Sequence, residues 1–142
     1  MNEPLSEWSE RLVFGIDPID AQHKQLFDLA ATFEGSGDEI RMMKTLASLS
    51  NYVVEHLREE EALLELCGYP KLEAHRELHR RFRTMIVALL EDARQMTLDE
   101  IAERVHYLIN GWFYDHIMGA DLDYVPLVRA HLAAAAGEAP AD

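Results

Sequence analysis

Four polar side chains stand where a helical bundle ordinarily places leucine. In the segment EHLREEEALLELCGYPKLEAHRELHRRF, residues 55–82, His56 and Glu60 are four residues apart, and so are His75 and His79. Four residues is slightly more than one helical turn, so each pair projects from one face of its helix. The apolar register shows which face. Leu72, His75, His79, Phe82, Ile86, Leu89 and Ala93 follow one another at steps of three and four. Ile40, Met43, Leu46, Leu49 or Ser50, Val53, His56, Glu60 and Leu63 run the same way. That is the spacing of a bundle seam. Imidazoles and a carboxylate on a seam need an explanation.

The rest of the chain supplies two more helices. Residues 1–16, with Trp8, Leu12, Val13, Phe14 and Ile16, lack helical spacing and read as an extended arm across the bundle. Asp17-Pro18-Ile19-Asp20 has the form of a helix start, with Asp17 at the N-cap and Pro18 in the first turn. The helix is expected to run to Phe33 on an inner face of Ile19, His23, Leu26 or Phe27, Ala30 and Phe33, and to end at Gly35-Ser36-Gly37. The second and third helices cover 38–66 and 71–94, broken by the turn Cys67-Gly68-Tyr69-Pro70. Thr97-Leu98-Asp99-Glu100 is a capping box that opens a fourth. Its seam is Leu98, Ile101, Val105, Leu108, Trp112 and His116. Gly119 and Ala120 are expected to loosen the chain before Asp121, with a short helical piece after Pro126 and a frayed tail over 133–142. Four amphipathic helices with short connections make an all-α, up-down-up-down four-helix bundle, one domain over 1–132. There is no alternating strand pattern, internal repeat or linker.

Charge and composition exclude several roles. The 142 residues carry 26 acidic against 13 basic side chains, a formal charge of −13. Such a surface repels phosphate backbones and anionic lipid, so neither nucleic acid nor membrane is an expected partner. No apolar run approaches the roughly 18 residues of a membrane span. The start, Asn2-Glu3-Pro4, has no secretory pattern. The single Cys67 cannot form an internal disulfide, which fits a reducing cytoplasm. A cytoplasmic monomer or weak oligomer is expected.

Five of the seven histidines, His23, His56, His75, His79 and His116, lie on core seams drawn from all four helices. His106 and His131 do not, and neither is expected to be functional. A buried unpaired polar group costs roughly 1–3 kcal/mol, against a total fold stability of about 5–15 kcal/mol. A metal removes the difficulty by turning lone pairs into ligands; a structural hydrogen-bond network is the other solution. One tetrahedral ion takes four ligands and strands the others. Two octahedral ions accommodate five imidazoles, Glu60 and Asp121 as bridging carboxylates, and a bridging solvent oxygen, with one position left open. Imidazole and carboxylate donors suit iron or manganese better than calcium or magnesium.

Three segments, WSERLVFGIDPIDAQHKQL, YVVEHLREEEALLELCGYPKLEAHRELHRRF and WFYDHIMGADLDY, resemble the signatures of the bacterial hemerythrin family over residues 8–128. The joint pattern of one His, HxxxE, HxxxH and HIxxxD carries the resemblance. It implies two non-haem irons with an oxo or hydroxo bridge. His75, His79 and His116 would hold one iron, His23 and His56 the other, and Glu60 and Asp121 would bridge them. It also implies that dioxygen binds at the open position of the two-histidine iron. The family commonly has leucine three residues before the last histidine. Here that residue is Phe113, whose ring would line and narrow the oxygen pocket, or simply pack the core; Trp112 beside it is core or pocket wall. Histidine ligands need outer acceptors, and Glu55, Glu59 and Asp115 are the nearby candidates, although an acidic run is ordinarily a solvated face.

The expected function is reversible dioxygen binding for carriage, storage or delivery. An oxygen, nitric oxide or redox sensor acting through a separate protein is the alternative. An enzyme that removes peroxide or nitric oxide is the third reading, and HxxxE with HxxxH differs from the Glu-x-x-His spacing of carboxylate-rich di-iron bundles. No nucleophile triad, phosphate loop or cofactor fingerprint points to other chemistry.

Overall fold

A computed structural model describes residues 12–33 and 38–137. Four helices pack as an all-α bundle with no strand among the described residues: α1 is Asp17–Ala31, α2 Glu39–Leu66 and α3 Leu72–Asp92, the last extended by a 3-10 turn at Ala93–Gln95. The fourth, α4, is unbroken over residues 98–135. It alternates α-helical stretches Leu98–His106, Tyr114–His116 and Leu122–Ala135 with π-helical ones at Tyr107–Phe113 and Ile117–Asp121. α2 packs between α1 and α3, and α4 lies against α1 and, at its far end, α2. Among the described residues no helix is long and apolar enough to cross a membrane.

Local chemistry sets the ends. Asp38 caps α2, its side chain accepting from the Ile40 N–H at 2.8 Å. α2 stops at Gly68, whose φ of +70° is the left-handed conformation that glycine adopts without a Cβ clash. The Gly68 N–H then reaches the Glu65 carbonyl and the Tyr69 N–H the Leu64 carbonyl, satisfying two carbonyls the ended helix would orphan. Thr97 and Glu100 form the expected capping box of α4. The start of α1 differs from expectation. Ile16 is its N-cap and Asp17 is already helical. Asp20 does the capping work instead, accepting from the N–H groups of Phe14, Gly15 and Ile16 at 2.8, 3.0 and 3.2 Å. Within the arm Leu12, Phe14 and Ile16 are buried while Val13 and Gly15 face out, the period of an extended chain. The arm before Leu12 and the turn Gly35-Ser36-Gly37 lie outside the described residues.

The inner faces of α1 and α3 follow the spacing: Ile19, His23, Leu26, Phe27, Ala30 and Phe33 are buried, as are His75, His79, Phe82, Ile86, Leu89 and Ala93, while Leu72, first on the expected α3 line, is half-buried. On α2 the line holds from Leu46 to Glu60 but drifts at both ends. Met42 and Leu64 are buried in place of Ile40, which is 66% exposed, and Leu63, which is half-buried. An α-helix gains 100° per residue, so no strict three-four alternation stays centred over 28 residues.

α4 departs most. Ile101, Val105, Leu108 and His116 of the expected seam are buried, and a second line, Val105, Ile109, Phe113, Ile117 and Asp121, is buried beside it at successive steps of four. An ideal α-helix taking four such steps rotates about 160° off its starting face. The two π-helical stretches, with their wider i→i+5 turns, absorb that drift. For this reason the expected seam position at Trp112 is only half-buried and Phe113 is fully buried. The chain does not loosen at Gly119, nor restart after Pro126, which sits inside the helix. Residues 133–135 of the expected tail are helical, and 138–142 lie outside the described residues.

Candidate metal centre

All seven expected groups converge in the middle of the bundle. α1 contributes His23, α2 His56 and Glu60, α3 His75 and His79, and α4 His116 and Asp121, each no more than 6% exposed. The five rings fall into two groups. His75, His79 and His116 have centroids 4.5–5.2 Å apart, and His23 and His56 are 4.9 Å apart. The carboxylates lie between the groups and divide their oxygens. Glu60 Oε1 is 2.7 Å from His75 Nε2 and 3.1 Å from His79 Nε2, while its Oε2 faces His56 at 3.5 Å and His23 at 3.7 Å. Asp121 Oδ1 is 3.1 Å from His75 Nε2 and 3.0 Å from His116 Nε2, while its Oδ2 is 3.3 Å from His23 Nε2. The i, i+5 spacing of His116 and Asp121 shares one face only because the π-helical turn at Ile117–Asp121 stacks the fifth residue over the first.

The donors fit a metal. Glu60, His75, His79, His116 and Asp121 form one set able to surround an ion, and His23, His56 and Glu60 a second, with ligand atoms in each within 4.8 Å of one another. Among the described residues, the buried side-chain atoms left without a hydrogen-bond partner are both ring nitrogens of His23, Nε2 of His56, His79 and His116, and both oxygens of Asp121. Every one belongs to this cluster. Buried polar atoms of that kind are ordinarily paired, and coordination is the pairing this donor set offers.

Hydrogen bonds from outside aim the rings. His56 Nδ1 meets Gln22 Oε1 at 2.6 Å, and Gln22 turns its amide nitrogen to Glu59. The amide oxygen can only accept, so His56 carries its proton on Nδ1 and presents an Nε2 lone pair inward. His79 Nδ1 meets Glu61 Oε2 at 2.8 Å, which fixes the same tautomer. The Tyr124 hydroxyl donates to Glu60 Oε2 at 3.0 Å; burial, with Glu60 and Asp121, pushes its pKa well above the ordinary value and keeps it a donor.

Burial opposes charge on His23, His56 and His75, and its balance against the neighbouring carboxylates decides the outcome. At His23 and His75 burial lowers the pKa, but Asp121 and Glu60 outweigh it and hold both at about 9. At His56 burial prevails and lowers the pKa to about 4. Burial raises Glu60 and Asp121, yet the surrounding imidazoles hold both well below the usual carboxylate range.

Aromatic rings close the surroundings. The Phe113 ring lies nearly perpendicular to those of His23 and His56, with centroids 5.7 and 5.8 Å away, on the two-histidine side. Trp112 stacks on Phe82 and on His116, 5.1 Å away, on the three-histidine side. Phe14 of the arm meets His23 edge-on at 5.8 Å.

Residues 15–128 match the family model described as the hemerythrin HHE cation binding domain. The chain belongs to the hemerythrin family. The chain matches similar relatives over most of their length. A bacteriohemerythrin of Stenotrophomonas maltophilia is 28% identical over 131 residues, covering 90% of this chain and 84% of the relative. One from Pseudomonas paraeruginosa is 26% identical, covering 86% and 80%. A hemerythrin-like protein of Naegleria gruberi is 26% identical, covering 82% and 88%.

For a hemerythrin-family chain the outer contacts were the part hardest to foresee. Glu55 and Asp115 are exposed and make no hydrogen bond to the cluster, and Glu59 reaches it only through Gln22. Gln22, Glu61 and Tyr124 hold the inner groups instead. Gln22 and Glu61 each directly adjoin a cluster residue, His23 and Glu60, and that adjacency is the one signal that could have found them. His106 lies outside the cluster, its Nε2 3.0 Å from the Ala30 carbonyl oxygen.

Proposed function

We propose that this chain binds dioxygen reversibly at a non-haem di-iron centre, for carriage, storage or delivery. The observation that carries the reading is the division of Glu60 and Asp121 between a group of three imidazoles and a group of two. His75, His79 and His116 would hold one iron, His23 and His56 the other, with both carboxylates shared. Those residues would hold iron, which would supply the reversible electron transfer that dioxygen binding needs. The chain's own residues do the rest. Gln22 and Glu61 keep two Nδ1 protons in place so that Nε2 faces inward. Tyr124 holds Glu60 against rotation. Phe113 and Phe14 line the two-histidine side with apolar edges that exclude water. Five neutral imidazoles and two carboxylates are fewer anionic donors than carboxylate-rich oxidising bundles use, which favours binding over turnover of a substrate.

Iron analysis of the freshly purified protein, with visible spectra before and after air, tests the reading. Two irons per chain and full recovery of the diferrous spectrum on deoxygenation, without product, are expected. Absence of iron, or irreversible oxidation within one oxygen cycle, refutes it. Proteins captured only by the oxygenated form would shift the reading from carriage to sensing.

A further inference from the structure

The two halves of the centre are fastened to their surroundings by different chemistry. On the two-histidine side the outward contact is a neutral amide, Gln22 Oε1 on His56 Nδ1. On the three-histidine side it is a carboxylate, Glu61 Oε2 on His79 Nδ1. Glu61 follows the shared Glu60 directly, so α2 turns one carboxylate into the centre and the next away from it. Two arginines of α3 hold Glu61 from outside. Arg76 Nε stands 3.5 Å from its Oε1, and Arg83 Nη1 stands 3.5 Å from Oε2, the same oxygen that receives His79. The side chains of Arg76 and Arg83 are 28% and 34% exposed, that of Glu61 only 16%.

A carboxylate draws on an imidazole N–H more strongly than an amide does and makes the opposite nitrogen a stronger donor. A stronger donor stabilises the more oxidised metal. We propose that Glu61 is a positioning residue that sets the donor strength of His79, and that Arg76 and Arg83 grade it by competing for the Glu61 charge. The outer face of α3 thereby tunes the reduction potential of the three-histidine half and makes the two halves unequal. This rests on the di-iron reading above. Opposite signs follow for two substitutions. Glu61→Gln keeps an acceptor for His79 but removes the charge, so reduction becomes easier. Arg83→Gln leaves Oε2 to His79 alone, so reduction becomes harder.

The test uses the full chain, iron-loaded, as wild type, Glu61→Gln, Arg83→Gln and Arg76→Gln. The expected shift is on the order of tenfold in the ferric–ferrous equilibrium, or about 59 mV for one electron, upward for Glu61→Gln and downward for both arginine variants. The zinc-loaded proteins give a second readout: the His79 Nδ1–H resonance moves upfield in Glu61→Gln and downfield in Arg83→Gln. Potentials equal to wild type, or moving the same way in the glutamate and arginine variants, overturn the proposal, since a merely structural role would not reverse sign. If Glu61→Gln loses its iron, the two arginine variants decide alone, and unchanged potentials in both overturn it. A wild-type chain that takes up no iron refutes the di-iron reading instead, and the His79 resonance of the zinc forms still decides this one.

Discussion

Loading the centre with a divalent metal at about neutral pH is expected to release about two protons. Two carboxylates, Glu60 and Asp121, are held ionised inside the bundle, and a buried pair of negative charges requires compensation. His23 and His75 supply it, each held at about 9 by those carboxylates against burial. At about pH 7 each is protonated roughly a hundred to one, so freeing both lone pairs costs on the order of 5 kcal/mol of metal affinity. His56, lowered to about 4 by burial, is already neutral and adds nothing. The pH signs are opposite for the two observables. Without metal, the raised histidines contribute stability that is complete below their unfolded pKa near 6.5 and lost as pH rises through about 9. Metal affinity instead rises across that window, by up to about a hundredfold per pH unit with two protons leaving, and levels off above about 9. Zinc titration calorimetry in buffers of differing protonation heat counts the protons, and chelator competition from about pH 6.5 to 9 follows the affinity. Fewer than about one proton released, or an affinity flat across the window, would mean the imidazoles enter binding neutral and the charge balance described here is wrong.

Three further outcomes are expected. Phe113→Leu opens the apolar wall beside His23 and His56, so oxygen association and autoxidation both quicken several-fold while stability falls by about 1 kcal/mol; unchanged rates by stopped-flow would reduce Phe113 to packing. Gly68→Ala forces a Cβ into a left-handed turn with φ of +70°, costing about 1–2 kcal/mol, visible as a lower melting temperature with iron content unchanged. Thr97→Ala removes the hydroxyl that accepts the Glu100 N–H at 3.1 Å, and denaturant unfolding is expected to lose about 1 kcal/mol.

Six of the seven inner groups were legible because each replaces an apolar residue on a helical seam, an anomaly that periodicity exposes without coordinates; Asp121, beyond an expected loosening of the chain, was reached through the HIxxxD resemblance instead. Gln22 and Glu61 were not, because a polar residue on an outward face breaks no pattern. Glu61 sits in a run of three glutamates whose members have three different fates: Glu59 holds Gln22, Glu60 divides its oxygens between the two groups, and Glu61 accepts the hydrogen bond of the His79 Nδ1–H. Only packing separates them. Asp17 and Asp20 are equally good caps by composition, and the bend of the arm, which brings three N–H groups to Asp20, decides between them. The exchange of Trp112 for Phe113 on the inner face has a different cause. A 3.6-residue period presupposes α winding, and α4 does not keep it.

That winding also bears on how this chain can change in length. Dropping a residue from an ordinary helical stretch swings everything beyond it by about 100° and scatters the groups it carries. Dropping one between His116 and Asp121 would instead let the wide turn relax into a standard one, leaving the pair four apart, the interval already used by His56 with Glu60 and His75 with His79. The surplus residues of α4 thus mark where shortening is tolerable, and relatives or designed versions a residue briefer at that point are expected to keep their ligands in phase.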